Sequence, residues 1–213
     1  MESRVVKFFA KDNHKVALRA IPGHFATSHS HVNYYIDVTG LRTRCKEASA
    51  VAKTLVDKII NTTIIDTIVC MDGCEVVGAY MAAELEARDF VSTNSHETVY
   101  VITPEFNSNN QMIFRDNLVS SISDKHILLL LASTTTGQTL HRSLSCLKYY
   151  GGNVTAICSL FSAVDSIQGL PIISAFTTGD ISGYQAYEFD NCPFCQSGRK
   201  LDAFVNGYGY SKL

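Results

Sequence analysis

Residues His126 to Thr139, HILLLLASTTTGQT, constrain the fold of this chain more than any other stretch. Ile127 to Leu131 is a short unbroken apolar run, with charge before it and polar residues after it. That length and bounding suit a strand buried on both faces of a parallel sheet; a helix would need a longer run. A hydroxyl-rich turn follows, Ser133, Thr134, Thr135, Thr136 and Gly137, and then Leu140, Leu144 and Leu147 recur at helical spacing. Strand, small polar loop and helix together make a seat for an anion. The first N–H groups of a helix lack partners, and the helix dipole favours negative charge beside them. Threonine hydroxyls add donors, and Gly137 lets the backbone approach closely.

The rest of the chain fits around such a strand. Ala48, Val51, Ala52, Leu55, Val56 and Ile59 follow one helical face, with Asn61-Thr62-Thr63 closing it. Ile64 to Met71 reads as a strand, Asp72 to Glu75 as a turn, and Val77, Met81 and Leu85 as the buried face of a following helix. Asp72 is placed to cap that helix. Tyr34 to Val38, Thr98 to Thr103, Asn153 to Phe161 and Leu170 to Phe176 read as further strands. Asn107 to Asn110 reads as a turn, Met112 to Phe114 as one arm of a short hairpin, and Tyr149-Tyr150-Gly151-Gly152 as a helix stop. The segment before Gly23 alternates poorly.

At 213 residues, with 46% hydrophobic and 18% charged residues, the chain reads as one α/β domain. A net charge of −2 gives no electrostatic footprint for nucleic acid or an anionic membrane. No apolar run is long enough to cross a bilayer, and the N-terminal residues lack a secretory signal pattern. Seven scattered cysteines suit reduced thiols and a cytoplasmic location. Ser211-Lys212-Leu213 matches a peroxisomal address; the plainer expectation is a C-terminus packed on the body through Tyr208, Tyr210 and Leu213. Cys192-Pro193-Phe194-Cys195 is half of a zinc knuckle, and a tetrahedral site needs two more ligands. Cys70 and Cys74 supply them only if the tail folds back. His24, His29 and His31 share a loop without a carboxylate or cysteine, which predicts no metal there.

The central stretch resembles the phosphoribosyl-pyrophosphate (PRPP) loop of type I phosphoribosyltransferases. In that family a strand ends in two acidic residues, and a Thr-Thr-Gly or Thr-Gly turn then grips the 5′-phosphate. Ser133, Thr134, Thr135, Thr136, Gly137 and Thr139 match the phosphate half, while Leu131 and Ala132 stand in place of the acids. The resemblance is closest to the orotate enzymes and runs from about Phe25 to the CPFC tail. It implies a mostly parallel sheet flanked by helices, Rossmann-like, with a small hood over the ligand. Residues 1–213 are then a single domain, with the hood formed by about 1–45 and a CPxC tail at about 188–213.

By the same resemblance, Tyr34, Tyr35 and Asp37, with Arg42 after an insertion, lie on the base side. Asp72, Gly73, Cys74 and Glu75 match a pyrophosphate loop in which the orotate enzymes often carry a lysine. Arg115 is the one basic residue left where the family has a mobile basic loop, and it is a candidate phosphate contact beside the plainer reading of a solvated surface arginine. Ser162-Ala163 replaces the Asp-Arg pair that serves orotate, and the CPxC tail also occurs in a longer-tailed group of those enzymes. The implied chemistry is pyrophosphate displacement from PRPP by a nucleobase, with Mg²⁺ as cofactor and a homodimer as the assembly. The alternative is a non-catalytic PRPP or nucleotide sensor on the same fold, or a partner in an assembly with a vestigial pocket.

Overall fold

The computed structural model describes residues 2–11, 13–59, 63–88, 98–109 and 111–213. Asn61 and Thr62, read as a helix close, and Asn110 of the predicted turn lie outside the described residues. In chain order the elements are β1 (Val6–Phe9), β2 (Ala17–Ala26), β3 (His31–Asp37), α1 (Thr39–Thr43), α2 (Cys45–Ile59), β4 (Thr67–Cys70), α3 (Glu75–Glu86), β5 (Tyr100–Ile102), β6 (Glu105–Phe106) and β7 (Met112–Ile113). They continue with α4 (Asp116–Val119), β8 (His126–Thr134), α5 (Gln138–Tyr149), β9 (Asn153–Ser162), β10 (Ser166–Ile167), β11 (Leu170–Thr177), β12 (Ala186–Tyr187), α6 (Pro193–Gln196), β13 (Ala203–Asn206) and β14 (Gly209–Lys212).

The apolar run becomes the middle of β8, near the centre of a sheet ordered β10-β11-β9-β8-β4-β5. Every pairing in that sheet is parallel except β10 with β11. Alternate residues of β8 face opposite layers, as the pleat requires. Leu128, Leu130 and Ala132 join a core with Val51, Leu55 and Ile59 of α2 and Val77, Met81 and Leu85 of α3. Ile127, Leu129 and Leu131 join a second core with Leu140, Leu144 and Leu147 of α5. With both faces covered, the strand is apolar at every position rather than at every second one. The expected α/β architecture, a mostly parallel sheet flanked by helices, is what the chain adopts.

A second sheet, ordered β12-β3-β2-β13-β14 with β1 against β2, joins the N-terminal strands to the C-terminal tail. Its own core holds Ile21, Phe25, Val32, Tyr35, Ala203 and Val205. The tail thus supplies one inner strand, β13, and both edge strands of that order, β12 and β14. β2 escapes a periodicity reading because it carries Pro22 and a shift in register between Pro22 and Phe25. Such a bulge moves later side chains to the other face and breaks the period of two. The end of the chain departs from the packed C-terminus expected: Leu213 is 71% exposed and Tyr208 61%. Residues up to Lys212 instead pair in β14, and only the Tyr210 ring packs inward, 5.4 Å from Tyr35. Among the described residues no helix is long and apolar enough to cross a membrane.

Helix α3 lies on β4 through Gly78, where an added Cβ would overlap Cys70 Sγ and come within 3.2 Å of Val101 Cγ1. Alanine at a helix-interior glycine ordinarily stabilises by about 0.5–1 kcal/mol. At Gly78 the overlap outweighs that gain, because overpacking costs about 1–3 kcal/mol. Gly78→Ala is expected to lower the urea midpoint of unfolding; an unchanged or raised midpoint would refute this close helix–strand contact.

Candidate functional site

The carboxyl end of β8 leads straight into the turn and then α5. Gly137 occupies the N-cap position with φ +77°, and no side chain caps the helix. That left-handed conformation favours glycine and leaves the first amides of α5 open for a ligand. Ser133, Thr134, Thr135, Thr136, Gly137 and Thr139 all line one cavity of about 220 Å³. Thr134 is 4% exposed, and its hydroxyl finds no hydrogen-bond partner. A buried hydroxyl left unpaired carries a free-energy cost that a ligand oxygen at this position would remove.

The opposite wall comes from the second sheet. Thr27, Ser28 and His29 in the β2–β3 turn, Tyr34 and Tyr35 of β3, and the β13–β14 turn at Asn206 to Tyr208 all border the cavity. Tyr35 is largely core: its ring centroid lies 6.1 Å from Phe25 and 5.4 Å from Tyr210. Burial, reinforced by the Asp37 charge, pushes its phenol up to about 12. Tyr34, half-buried, is the better placed of the two to meet a flat ligand. Asp37 is outside the cavity lining; it accepts the Thr39 N–H at 3.1 Å and pairs with Arg19 at 3.4 Å.

The loop after β4 departs from its predicted role. Asp72 and Gly73 take successive left-handed conformations, φ 53° and 73°. Cys74, rather than Asp72, is the N-cap of α3, and no side chain caps that helix. Asp72 borders the cavity and accepts a hydrogen bond from the Ala132 amide, and burial raises its carboxyl above the ordinary 3.8. Glu75 is exposed and accepts the Thr103 hydroxyl at 2.9 Å. Cys74 is buried in the core, where desolvation drives its thiol well above the usual range.

Arg42, read as a base-side arginine, lies over this loop instead. It is 7% exposed, and its guanidinium donates to the backbone oxygens of Asp72 and, at 2.7 Å, Tyr208. Its carbon centre lies 5.6 Å from the Tyr208 ring. A side chain at Gly73 would collide with the Arg42 guanidinium, so the space above the loop is taken. From the other side, a Cβ at Gly207 would come 2.7 Å from Asp72 Cγ, so the tail turn is packed against the same loop.

No protein-family model matches the sequence, and no curated protein is significantly similar to it. Solved structures are similar in three dimensions. An adenine phosphoribosyltransferase from Thermoanaerobacter pseudethanolicus superposes with a TM-score of 0.51 at 14% identity, covering 83% of this chain and 96% of that one. A Mycobacterium tuberculosis orotate phosphoribosyltransferase, solved with Fe(III) dicitrate, gives 0.51 at 12% identity over 76% and 91%. A phosphoribosyltransferase from Corynebacterium diphtheriae gives 0.51 at 12% identity over 75% and 90%. The chain has the type I phosphoribosyltransferase fold. Identities this low establish the fold and leave the chemistry to be argued from the residues.

On the phosphoribosyltransferase fold, the positions matching the acidic pair carry no acid: Leu131, 1% exposed, borders the cavity, and Ala132 is fully buried. Arg115 is outside the cavity lining and pairs on the surface with Glu105 at 2.6 Å. Ser162 turns its hydroxyl to the Val164 carbonyl at 2.6 Å. The tail cysteines are not completed by Cys70 and Cys74, which both sit in the main core. His24 and His31 approach them instead: the donor atoms of His24, His31, Cys192 and Cys195 all lie within 4.8 Å of one another. The missing cysteines of the histidine loop come from the other end of the chain. The signal was a count, two histidines on one loop and two cysteines in CPxC, split across 168 residues between His24 and Cys192. His29 stays at the cavity.

The raised Asp72 carboxyl has a stability consequence. The folded state binds the proton more tightly than the unfolded chain, so stability falls as pH rises from the unfolded value, 3.8, through the folded one. Asn keeps the acceptor oxygen, tolerates the left-handed backbone and carries no charge. Asp72→Asn is expected to be more stable than the parent at pH 7, the gap closing as pH falls toward about 4. Denaturant titrations across that range check it, and a constant gap would show that Asp72 is not held in a desolvated state.

Proposed function

We propose that this protein binds a nucleotide through its 5′-phosphate, as a sensor or regulatory module, and does not transfer a phosphoribosyl group. What carries the reading is one contrast: the phosphate cradle opens into the cavity, while the loop that matches a pyrophosphate site is closed by Arg42 and the tail turn. A phosphate at the start of α5 would meet open amides, four hydroxyl side chains and the unpaired Thr134 hydroxyl. Tyr34 would face the sugar or base from the other wall, and Asp72 would be at hand for a ribose hydroxyl.

Three features argue against turnover of PRPP. The cavity lining contains no lysine or arginine, so the several charges of a pyrophosphate would go uncompensated. Leu131 and Ala132 offer no oxygen to hold the ribose or stabilise a cationic transition state. Magnesium, which the resemblance implies for catalysis, does not fit these residues, because the Asp72 carbonyl is engaged by Arg42 and the acidic pair is gone. The neighbour from Mycobacterium tuberculosis is an orotate enzyme, but Ser162-Ala163 gives orotate no cationic partner here.

Calorimetric titration and thermal shift with nucleoside 5′-monophosphates, the parent nucleosides and PRPP with Mg²⁺ test the proposal. The monophosphates are expected to bind and stabilise, the nucleosides to bind far more weakly, and no base in a panel to release pyrophosphate from PRPP. Release of pyrophosphate with any base would favour the enzyme reading. Thr134→Val removes the unpaired hydroxyl at nearly constant volume. It is expected to leave stability unchanged or slightly raised while weakening phosphate-dependent binding about 10-fold or more, the worth of a hydrogen bond to a charged group. Equal affinities for the variant and the parent would remove the cradle from the account.

A further inference from the structure

We infer that His24, His31, Cys192 and Cys195 form a structural zinc site that ties the C-terminal tail to the first hairpin. His24 Nε2 lies 3.1 Å from His31 Nδ1, 3.5 Å from Cys192 Sγ and 3.6 Å from Cys195 Sγ, and Cys195 Sγ lies 3.3 Å from His31 Nδ1. Bonds of about 2.3 Å to sulfur and about 2.0 Å to nitrogen at tetrahedral angles place two nitrogens about 3.3 Å apart. The same geometry places a nitrogen and a sulfur about 3.5 Å apart. Four of the six edges of a tetrahedron around a shared centre are thus close to these lengths, and the other two are no longer than 4.8 Å.

Hydrogen bonding alone does not explain this convergence. His24 Nδ1 lies 2.9 Å from the Arg199 carbonyl oxygen, which only accepts, so the ring proton is on Nδ1. That leaves a single lone pair on Nε2, facing one imidazole nitrogen and two thiols. One lone pair accepts one good hydrogen bond, whereas a cation draws all four donor atoms to one point. The carbonyl behind His24 is also the outer partner that zinc-bound histidines ordinarily keep, holding the tautomer and the ring in place. Two neutral imidazoles and two thiolates leave the site uncharged overall, which suits burial. His24, His31 and Cys192 are buried, and Cys195 at the edge leaves a way in for the ion.

Local structure prepares both halves. Pro193 opens the short turn α6, whose Gln196 amide donates to the Cys192 carbonyl at 3.1 Å, so the two cysteines project from one turn. Gly198, at φ +72°, ends it. His24 and His31 sit near the ends of the antiparallel strands β2 and β3, and the turn between them, Thr27 to His29, borders the nucleotide cavity. Beyond the cysteines the Asp202 carboxylate accepts the His24 amide at 2.9 Å, and the chain enters β13, whose turn packs against Asp72. Zinc here would fix one wall of the cavity and the tail that closes the neighbouring loop. Four protein ligands with no open position mark a structural role rather than a catalytic one.

The test is metal content of the full chain, purified under reducing conditions without added metal or chelator and measured by plasma mass spectrometry in the absence of nucleotide. One zinc per chain is expected. Cys195→Ser, at the exposed edge, is expected to weaken zinc binding at least tenfold, while Cys45→Ser, an exposed cysteine outside the cluster, retains full occupancy. Cobalt exchanged into the parent is expected to show the strong visible absorption of tetrahedral Co²⁺ and thiolate charge transfer, both lost in Cys195→Ser. Chelation is expected to lower Tm and open the tail to protease. A chain that takes up neither zinc nor cobalt, or that holds iron or copper instead, overturns the assignment. So does a Cys192–Cys195 disulfide in the reduced preparation. Because no nucleotide is present, failure here leaves the phosphate cradle untouched, and failure of nucleotide binding leaves the metal count unchanged.

Discussion

Burial of β8 on both faces is the constraint on which the remaining structure depends. A strand with Leu128 and Leu130 toward one layer and Leu129 and Leu131 toward the other is stable only with helices on both sides. α2 and α3 supply one layer and α5 the other, and the parallel pairings with β4 and β9 follow from crossovers through those helices. The end of β8 is then the place where the chain must turn from a buried strand into the α5 layer. Small hydroxyl residues and a left-handed Gly137 make that turn, and the same geometry leaves the start of α5 without a side-chain cap.

The same burial bears on the side chains around that turn. Leu131 packs in one core and borders the cavity, while Ala132 is closed into the other, where a carboxylate would face desolvation without a partner. The tail takes advantage of the space that is left. Its turn at Asn206 to Tyr208 lies over the Asp72 loop, and Arg42 is held between the carbonyls of Asp72 and Tyr208. A guanidinium engaged by two backbone oxygens and an aromatic face is a structural clasp, and it fills the space above the Asp72 loop.

The second sheet shows how ends of a chain that are remote in sequence come to share one site. β13 pairs with β2, bringing Ala203 opposite Phe25, and the approach of the tail to that edge carries Cys192 and Cys195 to His24 and His31. The cavity and the four-donor cluster are neighbours, joined by the β2–β3 turn. Whatever stabilises the cluster therefore stabilises a wall of the cavity as well.

The parallel sheet, its helices and the hydroxyl turn were legible in the sequence because each is a local pattern. Helical faces recur every three or four residues, a doubly buried strand is apolar throughout, and a glycine at a strand–helix junction marks the left-handed turn. β2 was not legible, since Pro22 and the bulge after it interrupt the alternation. Nor could Arg42 be seen as a clasp, because both of its acceptors are main-chain oxygens and carry no residue signature. The sequence by itself thus determined the architecture and the hydroxyl-rich turn at the end of β8. Tertiary structure alone decided which loops the tail closes and which donors meet, because those contacts depend on how distant strands pair and not on the spacing of neighbours along the chain.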